Sequence, residues 1–213
     1  MKLKINEIFY SIQGESSYTG LPCIFIRLTY CNLRCSYCDT EYAFYDGSDM
    51  EIEEILLKIE KYPTKLIMVT GGEPLIQENC INLMDELLKK NYSVMLETSG
   101  SLELNKVPKK VVKIVDFKCP SSNMMDKNDW TIIKDIDKND EIKFVIGNKE
   151  DYNWSKKMIE KYQLNRICPI LFSPIYDIMN IKELSEWILE DGINVRLQSQ
   201  LHKHIWGPET TGV

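Results

Sequence analysis

The sequence has no apolar run long enough for a membrane span or for a secretory signal peptide in its 213 residues. It also lacks internal repeats, low-complexity segments and Gly/Ser-rich linkers. A chain of this length with 44% hydrophobic residues can bury one substantial core. We therefore expect a soluble, cytoplasmic protein that has one domain over residues 1–213 and does not associate with a membrane.

Positive charge is scarce as well. Lys and Arg number 26 against 32 Asp and Glu, which gives a net charge of −6. Nucleic-acid phosphates are bound by clustered Lys and Arg, and the nearest thing to such a cluster is "VPKKVVK" at 107–113. We interpret that segment as a solvated turn that enters a strand, so the sequence does not predict a nucleic-acid partner.

Cysteine occurs seven times, at positions 23, 31, 35, 38, 80, 119 and 168. An odd number of cysteines without a secretory signal argues against a disulfide framework and favours ligand or thiol chemistry. Cys23, Cys80 and Cys168 lie in apolar stretches, and we expect them to be small core residues. The closely spaced cysteines near position 35 need a separate explanation.

Short apolar runs that alternate with amphipathic segments indicate a βα pattern. We predict strands over residues 23–29, 66–70, 94–98, 111–117, 141–146, 167–172 and 195–199, with a further edge strand over 3–9. Apolar stripes at helical spacing predict helices over residues 50–62, 79–90, 151–162 and 180–191. Gly192 is a stop signal for the last of these helices.

Two connections are unsuited to a covering helix. Residues 100–110 carry Gly and Pro and are too short for a crossover helix, and residues 119–140 read as loop with at most one short helix. The predicted fold class is therefore α/β, an incomplete parallel α/β barrel with some crossover helices missing. Parallel α/β folds place their sites at the carboxyl ends of the strands.

Cys31, Cys35 and Cys38 form a C-x3-C-x2-C loop just after the predicted strand over 23–29. Structural zinc sites are closed by four protein ligands, and the only histidines, His202 and His204, lie about 165 residues away. A 4Fe-4S cluster held by three thiolates instead leaves one iron free to bind a small molecule. The missing fourth ligand therefore favours a reactive cluster over zinc.

The same loop, with the aromatic Tyr37 before its last cysteine, resembles the cluster motif of radical S-adenosylmethionine enzymes. The resemblance implies an eroded barrel of the radical S-adenosylmethionine type. It also implies that the free iron binds the methionine part of the cofactor and that one electron releases a 5′-deoxyadenosyl radical. "GGEP" at 71–74 follows a predicted strand, and its glycines let backbone approach a ligand closely. By itself, Gly-Gly after a strand is more often an ordinary turn.

The segment "FYSIQGESSYTGLPCIFIRLTYCNLRCSYCDTEYA" is similar to the pattern of the 7-carboxy-7-deazaguanine synthase family. "VTGGEP", "ETSG", "KCPSS" and "RLQSQLHKHIWG" extend the resemblance over most of the chain. It implies conversion of 6-carboxy-5,6,7,8-tetrahydropterin to 7-carboxy-7-deazaguanine with loss of ammonia, a step toward deazapurine nucleosides such as queuosine. In that family hydrogen is abstracted from C6 of the pterin, S-adenosylmethionine is regenerated and Mg²⁺ assists the rearrangement.

The resemblance also assigns roles to individual residues. The catalytic residues and 4Fe-4S ligands are Cys31, Cys35 and Cys38, and the Mg²⁺ ligand is Thr40. The predicted substrate contacts are Ile12, Gln13, Gly14, Glu15, Arg27, Thr98 and Val213. The predicted S-adenosylmethionine contacts are Gly71, Gly72, Glu73, Gly100, Asp116, Phe117 and Lys118.

Elementary chemistry is consistent with three of these roles. A carboxylate such as Glu15 accepts hydrogen bonds from the guanidine-like edge of the pterin. The planar fork of Arg27 suits a bidentate pair with the substrate carboxylate, although it equally suits an arginine tip at a sheet face. Thr40 would need substrate oxygens and water to complete Mg²⁺ coordination, and without the resemblance it reads as a helix N-cap.

Two features depart from the family pattern. Where the family often has "QGEG", residues 13–16 read "QGES", which removes a flexible fourth position and can shift the loop. Val213 would supply a C-terminal carboxylate to the substrate, but its small polar neighbours suit either an ordered tail or a frayed end. We interpret His202 and His204 as hydrogen-bonded structural residues.

The sequence carries no second cysteine cluster, so the resemblance implies an external one-electron donor such as a flavodoxin. It also implies a homodimer, which would cover the opening that the missing helices leave. Two alternatives stay open at this point. One is a glycyl-radical-enzyme activase of the same superfamily, and the other is a non-catalytic protein that binds an iron–sulfur cluster or zinc.

Overall fold

One mixed sheet of nine strands organises the chain in the computed structural model, which describes residues 1–213. The strands are β1 (Lys2–Ile12), β2 (Pro22–Leu28), β3 (Ser48–Glu51), β4 (Leu66–Gly71), β5 (Ser93–Thr98), β6 (Val112–Phe117), β7 (Glu141–Ile146), β8 (Ile170–Pro174) and β9 (Arg196–Leu197). Their order in the sheet is β3-β1-β2-β4-β5-β6-β7-β8-β9. β1 pairs antiparallel with β2 and β3, and every pair from β2/β4 to β8/β9 is parallel. The outer strands β3 and β9 do not pair with each other, so the barrel is incomplete.

Five helices accompany the sheet: α1 (Ile52–Ile59), α2 (Asn79–Lys89), α3 (Lys149–Tyr162), α4 (Ile181–Asp191) and α5 (Leu201–Trp206). Polar side chains fix where several of them begin. Asn148 accepts a hydrogen bond from the amide of Asp151 at the start of α3, and Asn180 accepts from the amide of Lys182 at the start of α4. The amphipathic stripes direct the apolar faces of the helices onto a core of 37 buried residues.

The predicted parallel α/β barrel with missing crossover helices is confirmed, and so is most of the predicted element order. No helix lies between β5 and β6, which pair in parallel all the same. The expected core positions of Cys23, Cys80 and Cys168 are also confirmed, because all three are buried. The short strand β3 and helix α5 were not predicted, since four and six residues carry too little periodicity to be recognised.

The prediction of at most one short helix over residues 119–140 is wrong. Three 3-10 helices cross from β6 to β7, over Pro120–Ser122, Met125–Lys127 and Trp130–Asp135. Burial accounts for the third of these helices, because Ile132 is buried and Trp130 and Ile133 pack against the core. Trp130 stacks on Phe117 at a centroid distance of 4.3 Å and on Tyr162 at 4.5 Å.

The ends of two predicted strands also differ. The strand expected over 167–172 begins three residues later, at Ile170, because a 3-10 helix occupies Leu164–Arg166 just before it. The strand expected over 195–199 is reduced to Arg196–Leu197, although the amide of Gln198 still donates to the carbonyl of Phe172 in β8 at 2.9 Å. None of the helices has the length and apolarity required to cross a bilayer.

Candidate active site

A cavity of about 790 Å³ lies at the carboxyl ends of the parallel strands. Residues late in β4, β5, β6 and β8 line it, together with the loops that follow β1 and β2 and the segment that contains α5. This is the position at which parallel α/β folds gather ligand-binding side chains. The cavity is large enough for a substrate and a nucleoside cofactor side by side.

The loop after β2 brings Cys31, Cys35 and Cys38 to one end of this cavity. Burial raises the pKa of each of the three thiols, and the nearby ammonium group of Lys118 opposes that rise. Arg34 holds the shape of the loop by donating from its guanidinium group to the carbonyl of Cys31 at 2.8 Å. Since metal ligation requires thiolates, binding of iron at this end would release protons.

Ser36, between the second and third cysteines, ties the loop to the segment after β6. Its amide donates to the carbonyl of Ser122 at 3.1 Å, and its hydroxyl donates to the carbonyl of Ser121 at 2.5 Å. Ser121 is fixed in turn by the buried carboxylate of Asp151 in α3, which accepts from its amide at 2.9 Å and from its hydroxyl. The same carboxylate accepts from the amide of Gly147 at 2.8 Å. The position of the cysteines therefore depends on contacts more than 80 residues away in the sequence.

Gly71 and Gly72 pack directly against the start of the cysteine loop. A Cβ atom on Gly72 would lie 2.2 Å from the carbonyl oxygen of Tyr30 and 2.7 Å from Cβ of Cys31. A Cβ atom on Gly71 would lie 2.5 Å from the carbonyl oxygen of Leu28. The two glycines are thus required by protein packing, in addition to any approach of backbone to a ligand.

Glu73 has no exposed surface and does not line the cavity. Its carboxylate accepts hydrogen bonds from the hydroxyl of Thr98 at 2.9 Å and from both the amide and the hydroxyl of Ser99 at 2.7 Å. It also accepts from the amide of Leu75 at 3.1 Å. Glu73 therefore joins the carboxyl ends of β4 and β5, and its acceptors are used within the protein.

The loop after β1 also lines the cavity, through Ile12, Gln13, Gly14 and Glu15. The C-terminal segment closes over this loop, because the amide of Leu201 donates to the carbonyl of Gly14 at 3.0 Å. A Cβ atom on Gly14 would lie 2.2 Å from Nδ1 of His202. Burial lowers the pKa of His202.

A network of charged side chains, centred on the buried Lys143, connects several of the elements that line the cavity. Nζ of Lys143 lies 2.9 Å from Glu15 and 3.7 Å from Asp116, and it also donates to Glu97. Asp116 pairs in turn with Lys118 at 2.9 Å. Burial acts to raise the pKa of Glu15, but the charge and the hydrogen bond of Lys143 outweigh it and hold that pKa below its ordinary value. The Glu15 side chain is therefore ionised at neutral pH.

Arg27 projects from β2 into the cavity between two aromatic rings. Its guanidinium carbon lies 6.0 Å from the ring centroid of Phe9 and 5.8 Å from that of Tyr42. Nε donates to Glu7 at 2.7 Å, and Glu7 also accepts from the hydroxyl of Tyr42 at 3.0 Å. Glu7 orients the side chain in this way and leaves both terminal nitrogens of Arg27 without a protein partner.

Thr40 and Asp39, just after the last cysteine, face the C-terminal segment. The hydroxyl of Thr40 donates to Asp39 at 2.9 Å. Thr40 occupies the N-cap position of a 3-10 helix over Glu41–Phe44, but its side chain makes no capping hydrogen bond. Asp39 accepts from Lys203 at 2.7 Å, and Gln200 bridges Asp39 at 3.4 Å and Glu15 at 3.0 Å.

Comparisons with known proteins agree with this geometry. Residues 25–120 match the family model described as the Radical SAM superfamily. The chain is 43% identical to 7-carboxy-7-deazaguanine synthase of Koribacter versatilis, over 99% of this chain and 100% of that protein. It is 41% identical to the synthase of Chlorobaculum tepidum, over 99% and 97% of the two chains. The chain belongs to the 7-carboxy-7-deazaguanine synthase family.

Solved structures support the assignment at the level of the fold. The crystal structure of QueE from Escherichia coli matches with a TM-score of 0.78 and 26% identity, and the match covers 95% of each chain. SuiB of Streptococcus suis, bound to S-adenosylmethionine, shares the fold with a TM-score of 0.56 at 13% identity, over 80% of this chain and 45% of that one. Membership of the synthase family favours the synthase over the activase and over a non-catalytic metal-binding protein.

Membership of the radical S-adenosylmethionine superfamily implies a 4Fe-4S cluster and S-adenosylmethionine, and the cavity fits both groups. The three cysteines are gathered at one end, yet no group of three Cys, His, Asp or Glu side chains is close enough to hold one metal ion. A cluster of four irons spreads its thiolate ligands more widely than a single ion does. Five residues carry buried polar side-chain atoms without partners, and three of them, Gln13, Tyr37 and Asp116, line the cavity, which suits a polar ligand.

All but three of the residues predicted for this synthase site line the one cavity. The exceptions are Glu73, Gly100 and Phe117. The ring of Phe117 is buried in the core against Trp130, and a Cβ atom on Gly100 would lie 3.0 Å from that ring. Gly100 has φ +69°, a left-handed conformation that glycine adopts without strain. Any contact of Gly100 or Phe117 with a ligand would therefore be made by the backbone.

Several charged residues of the synthase cavity had no role in the sequence-based prediction: Asp39, Glu97, Lys143 and Lys203, together with the amide of Gln200. For one of these residues, Lys143, the sequence itself contains an indication of a role in the site. Lys143 stands in the middle of the apolar strand "EIKFVI", where a buried charge requires a partner. The others lie within or next to recognised motifs, but nothing in the sequence indicates that they contact one another.

Proposed function

We propose that this chain catalyses the ring contraction of 6-carboxy-5,6,7,8-tetrahydropterin to 7-carboxy-7-deazaguanine with loss of ammonia, a step toward deazapurine nucleosides such as queuosine. The observation that supports this most directly is the shared cavity. The cysteine loop forms one end, while Glu15 and Arg27, which suit a pterin carboxylic acid, stand on the other walls. A substrate held by Glu15 and Arg27 would lie beside the cluster.

At the cluster end, Cys31, Cys35 and Cys38 would ligate the 4Fe-4S cluster. When bound, this cluster and S-adenosylmethionine supply the 5′-deoxyadenosyl radical. We assign Gly71, Gly72, Asp116 and Lys118 to S-adenosylmethionine, with backbone contacts from Gly100 and Phe117. Asp116 suits this role, because Lys118 pairs with one of its oxygens at 2.9 Å and leaves the other oxygen buried without a partner. For Glu73 we propose an indirect role, since it fixes the ends of β4 and β5.

At the substrate end, the ionised carboxylate of Glu15 would accept hydrogen bonds from the guanidine-like edge of the pterin. Arg27 would pair with the substrate carboxylate through its two free terminal nitrogens, in the bidentate geometry that a planar guanidinium favours. The remaining substrate contacts that we propose are Ile12, Gln13, Gly14, Thr98 and Val213, all of which line the cavity. Gln13 carries a buried amide nitrogen that has no partner in the protein.

We assign Mg²⁺ to Thr40, whose side chain faces the cavity between the cysteine loop and the C-terminal segment. A hydroxyl group is a weak ligand for a hard cation, so substrate oxygens and water would complete the coordination shell. The pair between Asp39 and Lys203 would keep the residue next to Thr40 in place. Removal of Mg²⁺ should therefore weaken turnover without removing iron.

We further propose a homodimer and an external one-electron donor such as a flavodoxin. The donor is needed because the other four cysteines are buried away from the triplet, so the chain offers no second cluster. A dimer would cover part of the open barrel. The seven free cysteines suit a reducing compartment, and we place the enzyme in the cytoplasm.

The experiment that tests the function is an anaerobic turnover assay. The reconstituted protein is mixed with a chemical reductant, S-adenosylmethionine, Mg²⁺ and 6-carboxytetrahydropterin, and products are analysed by mass spectrometry. The proposal expects a product lighter than the substrate by one ammonia, absent with Cys35→Ala and retained with Cys168→Ala, a buried cysteine outside the cavity. Formation of 5′-deoxyadenosine without the deazapurine would keep the radical chemistry and reject the pterin as substrate.

A further inference from the structure

Lys143 is a lysine in the middle of a buried strand. Its side chain is 6% exposed, and its strand neighbours Ile142 and Phe144 belong to the hydrophobic core. Its Nζ atom contacts carboxylates from three other elements: Glu15 after β1, Glu97 in β5 and Asp116 in β6. A buried ammonium group of this kind is costly unless it is paired, so its retention calls for an explanation.

Stability alone does not explain Lys143. A buried ion pair is weak evidence for stabilisation, because desolvation offsets the Coulombic gain and apolar replacements are often neutral or better. The three carboxylates are also not core groups, since each of them lines the cavity. Asp116 keeps one oxygen without a partner. The network is therefore part of a binding surface rather than of the packed interior.

We propose that Lys143 is a positioning residue that supplies the counter-charge for the Glu15 carboxylate and so sets the affinity of the site for the pterin. Lys143 donates to one oxygen of Glu15 and Gln200 donates to the other, so the two residues together fix the carboxylate. The guanidine-like edge of a pterin offers neighbouring N–H donors, and only the ionised carboxylate presents two acceptors to them. The inference rests on the proposed function of this site.

The charges around Glu15 determine what happens when Lys143 is lost. Glu97 and Asp116 approach from neighbouring strands and carry the same sign as Glu15. On the other side, His202 in α5 favours the ionised form of Glu15 only weakly, and Lys203 in the same helix is already paired with Asp39. Without Lys143, burial and the two carboxylates would dominate, and Glu15 would take up a proton near neutral pH.

The test compares Lys143→Met with wild type. Binding of 6-carboxytetrahydropterin to the cluster-loaded enzyme is measured calorimetrically without reductant, from about pH 6 to about pH 9. A Glu with its ordinary pKa stays ionised throughout this range, so a change in affinity with pH would report a raised pKa of Glu15. The ratio of variant to wild-type affinity is used, because titration of the pterin itself cancels in it. The inference predicts a loss of about 10- to 100-fold near neutral pH, the size expected for a lost hydrogen bond to a charged group, with partial recovery as the pH rises.

Lys113→Met is the matched control. Lys113 lies in the adjacent strand β6 and is also buried and paired, with Asp140 at 2.8 Å, but neither residue lines the cavity. Lys113→Met removes the same kind of buried ion pair, so the unfolding temperature should change while the affinity for the pterin stays at the wild-type value. Lys143→Arg keeps the positive charge and should show a smaller loss that does not vary with pH.

Turnover separates positioning from a general structural defect. In Lys143→Met, KM for the pterin should rise by about the same factor as the dissociation constant while kcat falls less, with iron content unchanged. If Lys143→Met does not fold, the pairing is tested in Lys143→Arg and in Glu15→Gln, whose neutral amide should make affinity independent of pH. Wild-type affinity in Lys143→Met, or an equal loss at every pH, would overturn the inference. Failure of the wild-type enzyme to bind the pterin would instead reject the proposed function.

Discussion

The ammonium group of Lys203 lies 2.7 Å from the carboxylate of Asp39 and joins helix α5 to the residue that follows the last cluster cysteine. Lys203 is buried while Asp39 is half exposed, so the pair seals one side of the cavity. Gln200 extends the contact to Glu15 in the loop after β1. The cysteine loop and the loop after β1 are thus held together by one short stretch of the C-terminal segment.

Asp39→Asn should weaken that closure. The substitution leaves the buried ammonium of Lys203 without its counter-charge, which costs about 1–3 kcal/mol in free energy of unfolding. We expect higher KM values for both the pterin and Mg²⁺, because the single amide oxygen of Asn cannot replace both carboxylate oxygens, one of which accepts from Thr40 and the other from Lys203. The iron content should be unchanged. Urea unfolding and steady-state kinetics check both effects. Loss of iron would show that Asp39 instead supports the cluster directly.

The same pair predicts a dependence of stability on pH. Partial burial acts to raise the pKa of Asp39, but Lys203 and its hydrogen bonds outweigh that and hold it well below the ordinary value of 3.8. The stabilisation is therefore complete above the ordinary value and is lost as pH falls toward the depressed one. Wild-type protein should lose more unfolding free energy than Asp39→Asn on acidification below about pH 4, a range fixed by the ordinary pKa of Asp. If wild type and Asp39→Asn lost the same free energy of unfolding on acidification, this prediction would be wrong.

Gly72→Ala should impair cluster assembly. The added Cβ atom meets the backbone carbonyl of Tyr30 at 2.2 Å, and backbone cannot rotate away as a side chain can, so the cysteine loop must shift. We expect a large drop in iron bound per chain after reconstitution, with about 1–3 kcal/mol lost in unfolding free energy. Gly20→Ala is the control, because an added Cβ atom there meets nothing within 4 Å, and the substitution costs only the backbone strain of φ +92°. Full iron loading of Gly72→Ala would show that the loop tolerates the shift.

Gly14→Ala should raise the KM for the pterin, with less effect on iron content. The new methyl group collides with the His202 side chain at 2.2 Å and displaces the substrate loop, and displacement of this order costs up to about 100-fold. Here the obstacle is a side chain, so the double variant Gly14→Ala, His202→Ala should recover part of the lost affinity. Steady-state kinetics of the single and double variants decide the point. If the loss of affinity in the double variant equals the sum of the losses from the two single substitutions, His202 does not meet the new methyl group.

Asp151→Asn tests the support behind the cysteine loop. The buried carboxylate accepts from both groups of Ser121 and from Gly147, and an amide cannot accept all three. We expect a loss of about 2–3 kcal/mol in unfolding free energy. The Ser121–Ser36 contact should loosen as well, so the iron-free protein should react faster with a thiol reagent at Cys35. Glu190→Gln, at the exposed end of α4, is the control. It should change neither the free energy of unfolding nor the rate at which Cys35 reacts with the thiol reagent.

The parts of the site that could be predicted from the sequence are those in which chemistry and position coincide in one short segment. The cysteine triplet follows β2 and Gly71–Gly72 stand at the end of β4, and parallel strands bring their carboxyl ends together. Gln13–Glu15 follow β1, which is antiparallel to β2, so only the family resemblance predicted their place in the site. Glu73 shows the limit of that argument. Its motif was recognised, but its burial depends on Thr98 and Ser99, which lie 25 and 26 residues further along the chain.

Contacts between distant segments account for the rest. The pairing of Lys143 with Glu15 joins residues 128 positions apart, and that of Lys203 with Asp39 joins residues 164 apart. No periodicity or spacing encodes such a contact, since it follows from the order of strands in the sheet. The 3-10 helices after β6 were missed for a related reason, because the packing of Trp130 on Phe117 and Tyr162 stabilises them rather than local helix propensity.

Deuterium transfer from the pterin to the cofactor would show that the cluster and the pterin share one cavity. The reconstituted enzyme is supplied with 6-carboxytetrahydropterin that carries deuterium at C6, and the recovered S-adenosylmethionine and 5′-deoxyadenosine are analysed by mass spectrometry. We expect deuterium in the recovered S-adenosylmethionine, or in 5′-deoxyadenosine, together with the deazapurine product. Product formation with no deuterium in either molecule would show that the radical does not take its hydrogen from C6 of a pterin bound in this cavity.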